Sequence, residues 1–217
     1  MNIEPNVIEP SVVTSTTIAL NAQVYCRNEP CGKVVSAIIN PARKTLTHLI
    51  VRGTRQRPHT ERVVSIRLLD LCLGSTIYLS CSVTAFNRLP EFEKEEEIPL
   101  NSLDSMMMVD EWFETDSPLW PLPRKTTYRN LPAQAQELQP RTAIQATNGR
   151  VGTLSQVIIA SNDNHITHLI MQCGYLWKQR QVTIPIEQVH TLGVHSIRLK
   201  LNKREVTALP TPPLPQG

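Results

Sequence analysis

The chain has 217 residues, of which 41% are hydrophobic, 19% are charged and 5% are aromatic, and its formal net charge is +3. This length allows one large domain or two small ones, and the ordinary apolar content excludes wholesale disorder. The small net charge excludes a histone-like nucleic-acid binder, and 17 prolines against 8 glycines argue against a helical bundle and a glycine-rich phosphate-binding enzyme.

The N-terminal extension, residues 1–21, contains two glutamates and no lysine or arginine. A secretory signal needs a basic region before its apolar stretch, so none is predicted, and no apolar run in the chain is long enough to predict a membrane span. The five cysteines form no Cys-x-x-Cys pair, which favours free thiols in a reducing compartment. They are Cys26, Cys31, Cys72, Cys81 and Cys173. The sequence therefore predicts a cytoplasmic location.

An internal repeat organises the rest of the chain. The tetrapeptide Thr-His-Leu-Ile at 47–50 recurs at 167–170, and the same offset of 120 residues aligns 22–90 with 142–210 without a gap. Further identities fall on a glycine, an Ile-Ile pair and a final Leu-Pro, which are positions where a fold constrains the residue type. We take 22–90 as repeat one and 142–210 as repeat two.

Each repeat reads as a series of short strands separated by turns. In repeat one the predicted strands are 23–26, 32–39, 46–52, 63–66 and 76–80, with a helical or turn segment at 67–72. In repeat two the corresponding segments are 144–146, 154–159, 166–172, 182–186, 187–192 and 196–200. Short strands at this spacing favour a small barrel over a βαβ unit. The predicted fold is all-β, with two small tandem β-barrels and a partly ordered connector.

The repeat pattern resembles the PRC-barrel family, the module named after the photosynthetic reaction-centre H subunit and also found in the ribosome-maturation factor RimM. The resemblance rests on Gly-x-hydrophobic openings at Gly32 and Gly152, the Ile-Ile and Thr-His-Leu-Ile strands, and late Ile-x-Leu strands. Ile184-Pro185-Ile186 matches the family's hydrophobic-Pro-hydrophobic strand, whereas repeat one has Ser65 in place of the proline. The resemblance implies two assembly or docking modules without a shared active site.

The connector, residues 91–141, is not a simple polar linker. Its first part, 91–116, carries a net charge of −9, whereas repeat one carries +7 and repeat two +4. Three consecutive methionines at 106–108, together with Trp112, Phe113 and Trp120, favour packing against a barrel or a partner. The alternative is a solvated, disordered linker. The proline-rich tail, 211–217, is expected to be a disordered terminus, although it also resembles a polyproline ligand.

No catalytic, cofactor-binding or metal-ligating set is predicted. His48 and His168 are equivalent in the two repeats, but each shares a strand face with apolar residues, which favours a packing or hydrogen-bonding role over a paired metal or acid–base site. Phosphate-binding, hydrolase and zinc motifs are absent from the sequence. We therefore expect that the chain is not an enzyme.

The strongest interaction signals are two loops, 52–62 and 172–181, and the aromatic residues of the connector. Basic groups contact phosphates and aromatic rings stack on bases, so such loops also suit RNA. The candidate interaction residues are Arg52, Arg55, Arg57, Arg62, Tyr175, Trp177, Lys178, Arg180, Trp112, Phe113 and Trp120.

These features predict a non-enzymatic scaffold that docks another protein or a multisubunit complex. One alternative is an RNA- or ribosome-associated assembly factor that uses the two basic hairpins. Another is a membrane-peripheral accessory subunit of a photosynthetic or respiratory complex. The sequence does not define the oligomeric state.

Overall fold

The computed structural model describes residues 15–54, 60–97, 125–129, 134–174, 180–193 and 195–211. It confirms that the protein is mostly β, with two similar large sheets. The strands before and in repeat one are β1 (Ser15–Ala19), β2 (Gln23–Cys26), β3 (Glu29–Asn40), β4 (Thr45–Gly53), β5 (Glu61–Ser65), β6 (Leu69–Leu73) and β7 (Thr76–Leu79). The connector contributes β8 (Glu93–Glu97), β9 (Lys125–Arg129) and β10 (Gln136–Leu138). Repeat two contains β11 (Ala143–Ala146), β12 (Gly149–Ala160), β13 (Ile166–Cys173), β14 (Arg180–Pro185), β15 (Val189–Leu192) and β16 (Ser196–Leu199).

The two sheets have the same strand order. In sheet one the order is β5-β4-β3-β2-β7-β6, and in sheet two it is β14-β13-β12-β11-β16-β15. Neighbouring strands are antiparallel except that β2 pairs in parallel with β7, and β11 with β16. A short α-helix closes each repeat, α1 (Val83–Phe86) in the first and α2 (Lys203–Ala208) in the second. Asn202 caps α2 in a capping box with Glu205, which satisfies otherwise unpaired backbone N–H groups.

The two repeats exchange their leading strands. Strand β1 comes just before repeat one in the chain but pairs with β12 of sheet two. Strand β10 comes just before repeat two but pairs with β3 of sheet one. The registers are equivalent at the 120-residue offset, since Ile18 lies opposite Val157 and Leu138 lies opposite Ala37. The structural repeat thus begins further towards the N-terminus than the sequence identities do.

A second pair of symmetric contacts joins the repeats at their central turns. Thr45 forms an isolated antiparallel bridge with His165, its own equivalent in the other repeat. The N–H of Leu46 donates to the carbonyl of Asn164 at 3.0 Å, and the N–H of Ile166 donates to the carbonyl of Lys44 at 2.8 Å. The contacts on the two sides repeat at the same offset, so the repeats are related by a local two-fold arrangement.

One hydrophobic core runs through both repeats. The largest buried cluster contains the exchanged Ile18 and Leu138 together with residues of both sheets, such as Leu49 and Leu169. These side chains are fully removed from solvent. Because the leading strands contribute to the core of the opposite repeat, folding of either repeat is coupled to the other.

The predicted helical or turn segment at 67–72 is wrong in its second half. A single 3₁₀ turn, Ile66–Leu68, is followed directly by strand β6. Ser65 caps this turn, because its side chain accepts a hydrogen bond from the N–H of Arg67. The alternation of Leu69, Leu71 and Leu73 then suits an edge strand paired with β7.

Candidate docking surface

Three of the predicted interaction arginines lie in the described part of the chain, and each contacts groups within it. The Nε and Nη2 atoms of Arg52 lie 3.1 and 2.7 Å from the Glu61 Oε1 atom across the β4–β5 pair. Arg62 is 7% exposed and donates from Nη1 to the Leu89 carbonyl at 2.7 Å. Arg180 donates to the carbonyls of Thr207 and Leu209 at 3.1 and 3.0 Å.

Arg62 in repeat one and Arg180 in repeat two both donate to a carbonyl just after the helix of their own repeat. Leu89 and Leu209 are equivalent residues that follow α1 and α2, and each carbonyl accepts from a guanidinium of the sheet beside it. Arg62 also lies 3.5 Å from the carboxylate of Glu91, the first acidic residue of the connector. A buried guanidinium needs such partners, since leaving it unpaired costs several kcal/mol, on the order of 3–5.

The other predicted interaction residues lie outside the described residues. They are Arg55, Arg57, Tyr175, Trp177, Lys178, Trp112, Phe113 and Trp120. The described ends of the connector do contact the repeats, because Phe92 is 2% exposed and β10 completes sheet one.

The equivalent histidines lie in different surroundings. His48 is partly buried, its Nδ1 atom has no hydrogen-bond partner, and burial lowers the pKa of the imidazole. The Nδ1 atom of His168 lies 3.1 Å from the Thr167 hydroxyl. Across the described residues, no three His, Cys, Asp or Glu side chains gather as a metal site would require.

The prediction of five free thiols is wrong for two of them. Cys26 and Cys31 form a disulfide across the β2–β3 hairpin, and both residues are buried. Cys26 lies opposite Glu29 at the turn, and Cys31 follows two residues later on β3, where the register of the β2–β3 pair shifts. Their spacing alone did not reveal this proximity. Cys72, Cys81 and Cys173 are free. The cytoplasmic location stays a prediction.

A groove of about 1210 Å³ lies where the two sheets meet. Its floor is part of sheet two and includes Ile158 and Ile170, while β1 and the segment from Ile66 to Ser75 form its walls. On β6 the side chains of Leu71 and Leu73 are 49% and 56% exposed. We call this feature the inter-repeat groove.

The groove residues were missed by sequence analysis, although one signal was present. Leu71 and Leu73 align with Thr191 and Gly193 in repeat two. An apolar side chain in only one copy of a repeated edge strand indicates a surface that the two copies do not share. Ile158 and β6 line one groove together with the exchanged strand β1, and no local pattern encodes that exchange.

The chain is thus an all-β protein of two interlocked repeats, and the groove between them is lined by both polar and apolar residues. No family model matches its sequence, and no curated protein matches it either. None of the helices in the described ranges has the length and apolar character of a membrane span.

Proposed function

We propose that the chain is a non-enzymatic docking protein that binds another protein through two PRC-barrel-type modules. One observation carries the proposal: Leu71 and Leu73 present large apolar side chains to solvent on an edge strand beside the inter-repeat groove. Edge strands with exposed apolar side chains tend to pair with other chains, and proteins usually protect them unless they serve in binding.

The arginine contacts support this proposal over the RNA-binding alternative. Arg52, Arg62 and Arg180 already bind a carboxylate or backbone carbonyls of the same chain. Contact with phosphates would compete with these bonds, and the guanidinium of Arg62, a residue that is 7% exposed, would first have to leave its buried position. The inter-repeat groove, by contrast, can take a protein segment without breaking a described contact.

A site-specific photo-cross-linker tests the docking function. Placed at Leu71 in the full chain in its native cells, it should give a discrete protein adduct. The matched control is the same group at Thr191, the exposed equivalent on β15, which should give no such adduct. Adducts of equal yield at both positions, or none at Leu71, would contradict the proposal.

An RNA-retention assay tests the alternative. If the alternative holds, the purified chain is retained on RNA at low salt, binding weakens steeply as salt rises, and Arg55→Glu with Arg57→Glu abolishes it. Under the docking proposal the chain shows no retention at low salt.

A further inference from the structure

The outer faces of the two sheets are equivalent in sequence but covered differently. In repeat one Ile38 and Ile50 form a small hydrophobic cluster with Phe92, and all three are buried. Val35, Val63 and Ala135 pack around them. At the equivalent positions of repeat two, Ile158 and Ile170 both line the inter-repeat groove. Ile170 is buried, at 3% exposed, whereas Ile158 is only half-buried.

Phe92 reaches its site because an extended segment follows α1 along the sheet edge. The N–H of Val63 donates to the carbonyl of Pro90 at 2.9 Å, and the N–H of Phe92 donates to the carbonyl of Glu61 at 2.8 Å. Backbone bonds at Phe92 itself and two residues before it therefore hold the aromatic ring over the isoleucines. This is the hydrogen-bonding pattern by which extended peptides add to a sheet edge.

In repeat two the segment after α2 makes the first of these two backbone bonds, but its sequence does not allow the second. The N–H of Thr183 donates to the carbonyl of Pro210 at 3.0 Å, as Val63 does to Pro90. The residue equivalent to Phe92 is Pro212, which has no N–H to donate to the carbonyl of Gln181. The chain's own sequence thus lacks, at this position, both the aromatic anchor and its backbone bond.

Around Ile158 and Ile170, repeat two has polar residues at positions where repeat one has apolar ones. Ser155, Thr183 and Ser15 stand where repeat one has Val35, Val63 and Ala135. The hydroxyl of Thr183 is buried without a hydrogen-bond partner, and Thr183 lies opposite Ile170 in the β13–β14 pair. Of these three residues only Ser15 lines the groove, and the Ser155 hydroxyl donates to the Ile170 carbonyl at 3.0 Å. The wall adds Leu71 and Leu73, so the groove combines apolar contact area with polar lining residues, such as Ser15 and Gln181, that can bind a peptide backbone.

We propose that the inter-repeat groove binds an extended peptide segment of a partner protein through one aromatic or branched aliphatic side chain. That side chain rests on Ile158 and Ile170, between them and the leucines of β6, as Phe92 rests on Ile38 and Ile50. Arg67 and Asp70 place one charge of each sign at the wall, so the residues flanking the anchor are mainly uncharged. This inference rests on the proposed docking function and names the chemistry of its partner.

Selection from a displayed library of random linear peptides on the full chain tests the proposal. Enriched peptides should share one aromatic or branched aliphatic position. Their affinity, measured by fluorescence polarisation, should fall about tenfold or more in Leu71→Asp and in Leu73→Asp, because each change removes an anchor contact and buries a charge. The matched control Thr191→Asp should leave the affinity unchanged. Each leucine is highly exposed, so these variants keep the fold.

Four results would overturn the proposal. They are no enrichment, affinity that is insensitive to both leucine substitutions, binding that appears only after residues 212–217 are removed, and a dimer of the chain that Leu71→Asp dissociates. The last two assign the groove to the chain's own tail or to a second copy. A protein adduct at Leu71 in the cross-linking experiment, together with no peptide enrichment, would leave the docking function standing and reject only the peptide mode.

Discussion

Lys44 and Asn164 occupy equivalent turns, and each accepts a backbone hydrogen bond from the other repeat. Both residues have left-handed backbone conformations, with φ values of 51° and 58°. This conformation turns the carbonyl of Lys44 towards Ile166 and that of Asn164 towards Leu46. The local two-fold arrangement therefore depends on a strained backbone position that is present once in each repeat.

The left-handed conformation predicts a specific ranking of substitutions at this turn. Asn164→Val should lower the free energy of unfolding by about 1–2 kcal/mol, because branching at Cβ opposes a positive φ. Asn164→Gly should change it by only a few tenths, since glycine accepts this conformation. Urea denaturation measures both values. The control is Asn162→Val in the same turn, outside the left-handed region, and equal losses at 162 and 164 would contradict the explanation.

Because the leading strands are exchanged, a core substitution in a leading strand should destabilise the repeat with which that strand pairs, and not the repeat that follows it in the chain. Ile18→Ala should lower the free energy of unfolding by about 2–5 kcal/mol, because Ile18 is fully buried. Hydrogen exchange followed by mass spectrometry should show the largest loss of protection in β12, although Ile18 is nearer in sequence to repeat one. The matched variant Leu138→Ala should loosen β3 instead. Loss of protection confined to the repeat that follows each strand would contradict the exchange.

Much of each sheet was predictable because its signals are local. The glycine that opens the pattern in each repeat has a direct structural reason: an added Cβ would lie 2.6 Å from the Arg52 carbonyl at Gly32 and 2.5 Å from the Gln172 carbonyl at Gly152. The strands around the Thr-His-Leu-Ile segments likewise follow from β-branched and apolar residues. These features need only the neighbouring strand, which the alternation of residues already implies.

The strand exchange and the groove were not predictable, because both depend on the sheet with which the short strands β1 and β10 pair. Ser-Thr-Thr-Ile-Ala at β1 and Gln-Glu-Leu at β10 are too short and too polar to indicate a partner. Edge strand β6 also escaped prediction, because the run at 67–72 resembles a helix or turn locally, whereas in the structure 69–73 pairs with β7. Tertiary context overrides local propensity at each of these places.

The disulfide predicts a stability difference that reduction reveals. Cys26 and Cys31 lie five positions apart in the sequence, so closing this short loop contributes about 2 kcal/mol in the chain-entropy model. Reductant should lower the thermal midpoint of the wild-type chain. The variant Cys26→Ala with Cys31→Val carries the residues that repeat two has at these positions, Ala146 and Val151, and its midpoint should not respond to reductant. A wild-type midpoint that reductant leaves unchanged would show that the bond adds no stability.

The raised pKa of the Cys72 thiol predicts that this residue reacts more slowly with alkylating reagents in the folded chain than in the unfolded chain. Burial raises its pKa to about 11 from 9.0, so the folded state disfavours the thiolate. At pH 8 the thiolate fraction is about one in a thousand in the folded chain and about one in ten when unfolded, which makes alkylation about a hundredfold slower. The unfolded chain loses its proton first as the pH rises past 9.0, so this group removes stability between pH 9 and about 11. Alkylation with iodoacetamide, quantified at the peptide containing Cys72 in native buffer and in urea, measures the ratio. Equal rates in the two conditions would show that Cys72 is as accessible and as acidic in the groove wall as in the open chain.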